Sequence, residues 1–140
     1  MIDINGYFAP PGGGFSLYAV VPCRVLDTRK AYGGNGPFDG TLSPPVDLRN
    51  SPCAVPSAAQ AYVLNAAVVP TGSLGYLTLW PDSMGIQQPL VATLNALDGI
   101  ITNNMAIVPA GSEGGKINAY ADQNTAPTDL VLDIFGYFGP

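Results

Sequence analysis

The sequence predicts an all-β protein folded as an antiparallel β-sandwich of about nine or ten strands. Apolar and polar residues alternate with a period of two through most of the chain, and no stretch carries a helical apolar stripe. Pro70, Pro81 and Pro109 follow such alternating stretches, at strand ends where a missing N–H does least harm. We therefore expect a jelly-roll or immunoglobulin-like sandwich, with a β-barrel or β-trefoil as the alternative.

Proline and glycine separate the strands predicted in the N-terminal half. Ile2 and Ile4 alternate with polar neighbours, and the Pro-Pro-Gly-Gly-Gly run at 10–14 then reads as a linker. Pro22 divides two further strands, and the glycine-rich stretch 33–40 predicts a long loop. The strands predicted here lie at 2–8, 15–21, 23–30 and 46–49.

Two hairpins are predicted in the C-terminal half. The turn residues 71–73 connect two strong strands, and Asp98-Gly99 is a two-residue hairpin signal between the next two. The strands of this half are predicted at 61–69, 75–80, 90–97, 100–108, 116–121 and 130–138.

The chain begins and ends with nearly the same peptide. Residues 2–10 read IDINGYFAP and residues 132–140 read LDIFGYFGP, and the two aspartates are 133 − 3 = 130 positions apart. Such a spacing has the size of one small domain. We therefore expect residues 1–10 to be the terminal strand of a preceding repeat plus a linker, and residues 11–140 to be a single sandwich unit.

Composition argues against catalysis, cofactors and several classes of partner. Histidine is absent, which removes Ser–His and Cys–His nucleophile pairs and histidine-based metal sites. The ten carboxylates are scattered, and no spacing opposes two of them as an acid/base pair. A net charge of −5 disfavours nucleic acid and anionic membranes, and no apolar run of about 18 residues predicts membrane insertion. The protein is expected to be no enzyme and to need no cofactor.

Two charged constellations each have a structural and a functional interpretation. Arg24, Asp27 and Arg29 form the densest charge cluster, which fits an ion-paired strand or a site for carboxylates or sugars. Asp122, Asn124 and Asp129 supply oxygen ligands that Ca²⁺ accepts, yet they lack a D-x-D-x-D pattern and fit a polar turn. We expect the structural interpretation in both cases, and therefore no metal site.

Two cysteines, Cys23 and Cys53, predict a disulfide. Closing a loop of about 30 residues would contribute roughly 3–4 kcal/mol. The low charged fraction, 11%, and the even cysteine count indicate an oxidising compartment, whereas two free thiols in a cytosolic protein are the alternative. We expect an extracellular or cell-surface location. Met1 leads directly into a strand-like segment, so any secretion signal is expected upstream of it.

Several motifs match one known type of module. They include CRVLDTR at 23–29, GYLTLWP at 75–81 and LDIFGYF at 132–138. Together they resemble a tandem repeat domain of secreted and surface proteins from acidobacteria and actinobacteria, where it also accompanies hydrolase domains. The resemblance implies an extracellular all-β module and implies no activity. Phe135 departs from it, because such units often carry a polar residue before Gly-Tyr-Phe, as Asn5 does here.

The duplicated strand leads to the first functional hypothesis, a non-catalytic structural or adhesive module that assembles with copies of itself or with adjacent repeats. An unpaired strand offers a row of N–H and C=O groups to a neighbouring sheet. The strand at 2–8 either joins another copy or pairs beside the closing strand of its own domain. The candidate assembly residues are Ile2, Asp3, Ile4, Tyr7, Phe8, Asp133, Ile134, Phe135, Tyr137 and Phe138.

The alternative hypothesis is a carbohydrate-binding accessory module with a polysaccharide as its partner. Tyr76 and Trp80 share one face of a predicted strand, and aromatic rings on a sheet surface stack on sugars. Tyr62 and Tyr120 would extend such a platform. A buried Trp80 that packs in the sandwich is the competing interpretation.

Overall fold

The computed structural model shows two antiparallel β-sheets, each of four strands, and it describes residues 7–10, 12–29, 34–123 and 126–140. The all-β sandwich predicted from the sequence is confirmed. The described residues form eight strands: β1 (Ser16–Asp27), β2 (Gly40–Thr41), β3 (Ala61–Pro70), β4 (Leu74–Pro81), β5 (Leu94–Ala96), β6 (Thr102–Pro109), β7 (Ile117–Gln123) and β8 (Thr128–Gly139).

The strand order is that of a jelly roll. Sheet 1 has the order β1-β8-β3-β6 and sheet 2 the order β2-β7-β4-β5. The pairs β1·β8, β2·β7, β3·β6 and β4·β5 arise when one long antiparallel hairpin is wrapped over itself, which distributes alternate pairs to the two sheets. Among the described residues both sheets end in edge strands, so the structure is a sandwich and neither the barrel nor the trefoil alternative.

The core lies between the two sheets and is built by period-two alternation. β3 alternates strictly between fully buried side chains and half-buried ones on the outer surface of sheet 1. Each fully buried leucine or isoleucine stabilises the fold by roughly 1.5–3 kcal/mol. The largest fully buried apolar side chains are Leu48, Tyr62, Leu64, Val68, Leu74, Leu77, Ile117, Leu130, Leu132 and Ile134.

The strand count is lower than predicted, partly because two predicted strands are one. Residues 15–21 and 23–30 were expected to be separated by Pro22, yet β1 runs through that position. The register of β1 with β8 shifts between Ala19 and Cys23, so Pro22 lies in a bulge where its missing N–H costs no regular ladder bond.

Two further predicted strands do not form among the described residues, and one strand was not predicted: β2 begins at Gly40, at the end of the stretch 33–40 that was expected to be a loop. Ten predicted strands, less one merger and two losses and plus β2, give the eight observed. The predicted strand 46–49 is reduced to one isolated bridge between Val46 and Ile117. Most of the predicted strand 2–8 lies outside the described residues, and its last members, Tyr7 and Phe8, are not in a strand.

Both predicted hairpins are wrong. β3 and β4 belong to different sheets, and so do β5 and β6. The Asp98-Gly99 turn itself forms, since the Asp98 carboxylate accepts a hydrogen bond from the Ile100 N–H at 3.1 Å and Gly99 has φ +72°. Turn chemistry reverses the chain but does not decide which sheet the next strand joins, and here both turns cross from one sheet to the other.

The predicted disulfide is confirmed. Cys23 and Cys53 are joined with an S–S distance of 1.97 Å and a Cα–Cα distance of 5.6 Å. The bond ties β1, immediately after its bulge, to the long connection that leads into β3.

Candidate functional site

β8, which carries the C-terminal copy of the duplicated peptide, is an interior strand of sheet 1. Asp133 lies between Arg24 of β1 and Asn65 of β3 in the ladder. The backbone hydrogen bonds of β8 are thus used within the unit. The sequence allowed strand 2–8 to pair beside the closing strand of its own domain. Both flanks of β8 are already occupied, by β1 and β3, so that position is not open.

The side chains of β8 alternate until a bulge at Phe135. Leu132 and Ile134 are buried in the core, while Asp133 points to the outer surface of sheet 1. Val63 pairs with Gly136 and Leu64 pairs with Ile134, so Phe135 is an extra residue without a partner in β3. Its side chain is 45% exposed. The sequence interpretation did not anticipate this bulge.

Gly136 follows the bulge at a position with no room for a side chain. A Cβ added there would stand 2.8 Å from the backbone oxygen of Tyr18 on β1, closer than real Cβ atoms come. A glycine inside a strand pattern is the available sequence signal for such a close approach. Gly139 differs, because a Cβ there would meet its nearest neighbour, the Ala58 oxygen, at an ordinary 3.4 Å.

The aromatic residues of the Gly-Tyr-Phe motif fasten the end of β8. Tyr137 packs against the core and stacks on Tyr18, with ring centroids 5.2 Å apart and planes inclined by 18°. The Tyr18 hydroxyl donates a hydrogen bond to the Pro140 carbonyl at 2.9 Å. This stack is worth roughly 0.5–1.5 kcal/mol beyond the area that it buries.

The described part of the N-terminal copy lies near this same end of the sheet. Ile2, Asp3 and Ile4 fall outside the described residues, whereas Tyr7 and Phe8 are 89% and 86% exposed. The Phe8 ring lies 6.4 Å from the Phe138 ring, centroid to centroid. An open groove of about 880 Å³ is lined by residues 7–10 and 12–16 together with Ala61, Ile107 and Phe138.

Arg24, Asp27 and Arg29 form the ion-paired arrangement that the sequence favoured. Arg29 donates to both carboxylate oxygens of Asp27 through Nε at 2.8 Å and NH2 at 2.6 Å. This hydrogen bonding lowers the pKa of the buried Asp27 carboxyl from its ordinary value, against the opposing effect of burial. Arg24 is shared between Asp27 and Asp133, and the hydrogen bonding that it donates to the Asp133 carboxylate raises the pKa of the Arg24 guanidinium.

Arg24, Asp27 and Asp133 border a cleft of about 780 Å³ beside β1. The two guanidinium groups face two carboxylates, so the cluster is neutral as a whole. A ligand carboxylate would have to displace Asp27 or Asp133 from its arginine. The cluster therefore stiffens β1 against β8 and offers little surplus charge to a ligand. The other walls of the cleft include Pro44, Pro45 and Pro52 from the connection between β2 and β3.

The predicted glycan platform is only partly present. Trp80 is 7% exposed. It lies on the same outer face of sheet 2 as Thr78, and the connection 82–93 crosses that face. The Thr78 hydroxyl donates to the Val91 carbonyl of this connection at 2.6 Å. Tyr76 is half-buried and stacks on Tyr120 with centroids 5.8 Å apart. Trp80 is thus a packing residue, which the strand pattern alone did not decide.

The remaining candidates do not come together as a site. Tyr62 is fully buried and donates its hydroxyl hydrogen bond to the Gly115 carbonyl at 2.7 Å, so it is part of the core. Asp129 accepts a hydrogen bond from Thr28, and Asn124 lies outside the described residues. Within the ranges that the structure describes, no three His, Cys, Asp or Glu side chains are grouped to hold a metal ion.

Comparisons of the sequence and the structure with known proteins matched no family model, no curated protein and no solved structure. Among the described residues, no helix has the length and apolar character needed to cross a membrane.

Proposed function

We propose that this protein is a non-catalytic structural or adhesive repeat module of an extracellular protein, and that its units join through the N-terminal copy of the closing strand. The single observation that supports this most is the position of β8. The peptide that recurs at residues 2–10 is the sequence of an interior strand, paired on both sides and fitted to the core.

An interior-strand sequence at a chain terminus favours joining to a sheet. Strands of this kind bury apolar side chains on one face and need backbone partners on both edges. The edge strands β1 and β6 of sheet 1 each have one flank without a strand partner among the described residues. A terminal strand from a neighbouring unit therefore has sheet positions to which it can add in the manner of β-augmentation.

The disulfide and the surface support the extracellular part of the proposal. A disulfide between Cys23 and Cys53 forms and persists in an oxidising environment. Only 11% of the residues are charged, so little electrostatic repulsion opposes contact between copies. A module with these properties suits a spacer or an adhesive array outside the cell.

The test is the mass in solution with and without residues 1–10. The full chain should form assemblies whose mean mass, measured by sedimentation, rises with concentration above the 14.5 kDa of one copy. A chain in which Gly and Ser replace residues 1–10 serves as the matched control and should stay monomeric, as should the deletion. Equal masses for all three proteins would refute joining through this segment.

A second candidate function, glycan binding, is favoured by the Tyr76–Tyr120 pair. The two rings stack at 5.8 Å on the outer surface of sheet 2 and are each only half-buried. Replacing both tyrosines by alanine should abolish retention on a column of cell-wall or plant polysaccharide. Tyr18→Ala, an aromatic substitution on the other sheet, is the control and should leave retention unchanged. A wild-type chain that no polysaccharide retains would end this candidate.

A further inference from the structure

We propose that the position of β8 between β1 and β3, here called the β8 slot, accepts either of two strands of the same chain: β8 itself or residues 2–9. In the structure β8 occupies the slot. The inference rests on the proposed function insofar as residues 2–9 act as a strand and joining requires them. It differs in one respect: residues 2–9 bind within their own domain, and the β8 that they replace is the strand offered to a second copy.

From Leu132 onward, the core-facing and charged positions of β8 are retained in the N-terminal copy, whereas the buried Thr128 and Leu130 have no counterpart in it. Aligned on the common motif, Ile2 stands for Leu132 and Ile4 for Ile134, whose side chains are both buried in the core. Asp3 stands for Asp133, which receives two hydrogen bonds from Arg24. A strand with these residues presents the second half of the slot with equivalent apolar side chains and the same carboxylate.

The glycine and the tyrosine of the motif meet the two most specific features of the slot. Gly6 stands for Gly136, where a Cβ would lie 2.8 Å from the Tyr18 oxygen and only glycine fits without a backbone shift. Tyr7 stands for Tyr137, whose ring stacks on the ring of Tyr18. A chance similarity between the two peptides would not be expected to retain both the glycine and the tyrosine.

The two copies of the peptide differ at positions where the slot can accept another side chain. Asn5 replaces Phe135, the half-exposed bulge residue with no partner in β3. Ala9 replaces Gly139, where an added Cβ meets its nearest neighbour at an ordinary 3.4 Å. Ile2 for Leu132 conserves volume, and such swaps usually cost less than about 1.5 kcal/mol.

The chain connection allows residues 2–9 to enter the slot of their own domain. β1 is antiparallel to β8, and Ser16 pairs with Gly139, the position that Ala9 would take. Residues 10–15, Pro-Pro-Gly-Gly-Gly-Phe, would then close a hairpin loop between adjacent strands, within the range of ordinary loop lengths. Because the strand is tethered, its effective concentration at the slot is on the order of millimolar.

Exchange would release β8 as a free C-terminal strand. Residues 128–139 then carry the apolar face and the open backbone groups of an interior strand, and they become available to a second copy. The same chain would thus exist in a form closed by β8 and in a form closed by residues 2–9, and the latter exposes a joining strand.

The experiment is a double-mutant cycle in the full chain with Gly6→Val and Gly136→Val. Thermal unfolding is followed at micromolar concentration, with hydrogen exchange of the two terminal peptides as the second readout. Gly6→Val alone should leave the Tm unchanged, because β8 holds the slot. Gly136→Val should lower the Tm modestly, protect residues 2–9 and expose residues 130–139. The double variant should melt about 5 °C or more below Gly136→Val, because neither strand then fits.

Two results would overturn the exchange. One is additivity, in which Gly6→Val lowers the Tm by the same amount in both backgrounds. The other is a Gly136→Val chain that unfolds, or that keeps residues 130–139 protected. If assembly measured by sedimentation still requires residues 1–10 in either case, the proposed function stands and the strand binds elsewhere, so the two failures are distinguishable.

Discussion

Arg24 of β1 and Asp133 of β8 form a two-point ion pair across neighbouring strands. Nε donates to Oδ1 at 2.9 Å and NH2 donates to Oδ2 at 3.3 Å, while NH1 of the same guanidinium reaches Asp27 at 3.3 Å. Asp133 is one of the residues that recur in the N-terminal peptide, as Asp3. The slot for the closing strand therefore recognises a carboxylate as well as an apolar face.

Removal of the Arg24 guanidinium should weaken the fold only moderately. The Arg24 side chain is 44% exposed, so solvent screens its ion pairs, and we expect Arg24→Met to lower the free energy of unfolding by about 1 kcal/mol. Urea denaturation measures this, with Glu113→Gln, an exposed carboxylate outside the cluster, as the control. No loss at all would show that the pair does not hold β1 to β8.

Acid should destabilise the protein through Asp27. Hydrogen bonding from Arg29 lowers the pKa of the Asp27 carboxyl in the folded chain from its ordinary value. A carboxylate with a lowered folded pKa adds stability that is complete above its unfolded pKa and is lost as pH falls through the folded pKa. The free energy of unfolding should therefore decrease below about pH 4, where the unfolded carboxyl takes up its proton first.

Asp27→Asn separates this effect from general acid sensitivity. The variant should be less stable than wild type at pH 7, and its stability should fall less steeply between pH 4 and pH 2, as denaturation at a series of pH values will show. Some slope should remain, because the pKa of Asp47 is also lowered, through hydrogen bonds from Asn50. Identical slopes for variant and wild type would rule out Asp27 as the source.

Loss of the disulfide should lower the free energy of unfolding far more than loss of the surface ion pair. Cys23 and Cys53 are 30 residues apart, and closing a loop of this length contributes roughly 3–4 kcal/mol in the chain-entropy description. The Cys23→Ser/Cys53→Ser variant should lose about that amount in denaturant unfolding. Treatment of wild type with an alkylating agent, without a reductant, is the control and should change nothing. A loss below about 1 kcal/mol would contradict the expectation.

Truncation of Trp80 should destabilise the fold much more than truncation of Tyr76, although the two side chains share one strand face. Trp80 is 7% exposed, so Trp80→Ala should leave a cavity and lower the free energy of unfolding by about 3–5 kcal/mol. Tyr76 is only half-buried, and Tyr76→Ala should cost clearly less. Chemical denaturation of the two variants compares them directly. Equal costs would mean that the connection 82–93 does not cover Trp80 in solution.

The sandwich and the disulfide could be predicted because they depend on local patterns. Period-two alternation in residues 61–69 marks a strand with one buried face, and β3 has that form. Sheet membership could not be predicted in the same way. Asp98 and Gly99 make the expected turn, but the partner of each strand is decided by long-range contacts such as Tyr62 with Val108 and Tyr137.

At the candidate site, too, the residue pattern could be predicted from the sequence and the packing could not. The duplication of Asp133, Gly136 and Tyr137 is visible in the sequence, whereas the reasons for it are not. The close approach of the Tyr18 backbone oxygen to Gly136 depends on how β1 pairs with β8, and the buried Trp80 lies on a sheet face that the connection 82–93 crosses. Both arise from packing between segments that are distant along the chain.

The most direct test of the central claim uses a free peptide with the sequence of residues 1–10. Added in excess to the full-length protein, it should compete for the joining position, and the weight-average mass measured by light scattering should fall toward the 14.5 kDa of one copy. A scrambled peptide of the same composition should have no effect. A mean mass that neither peptide changes, or that both lower equally, would contradict joining of units through the N-terminal copy of β8.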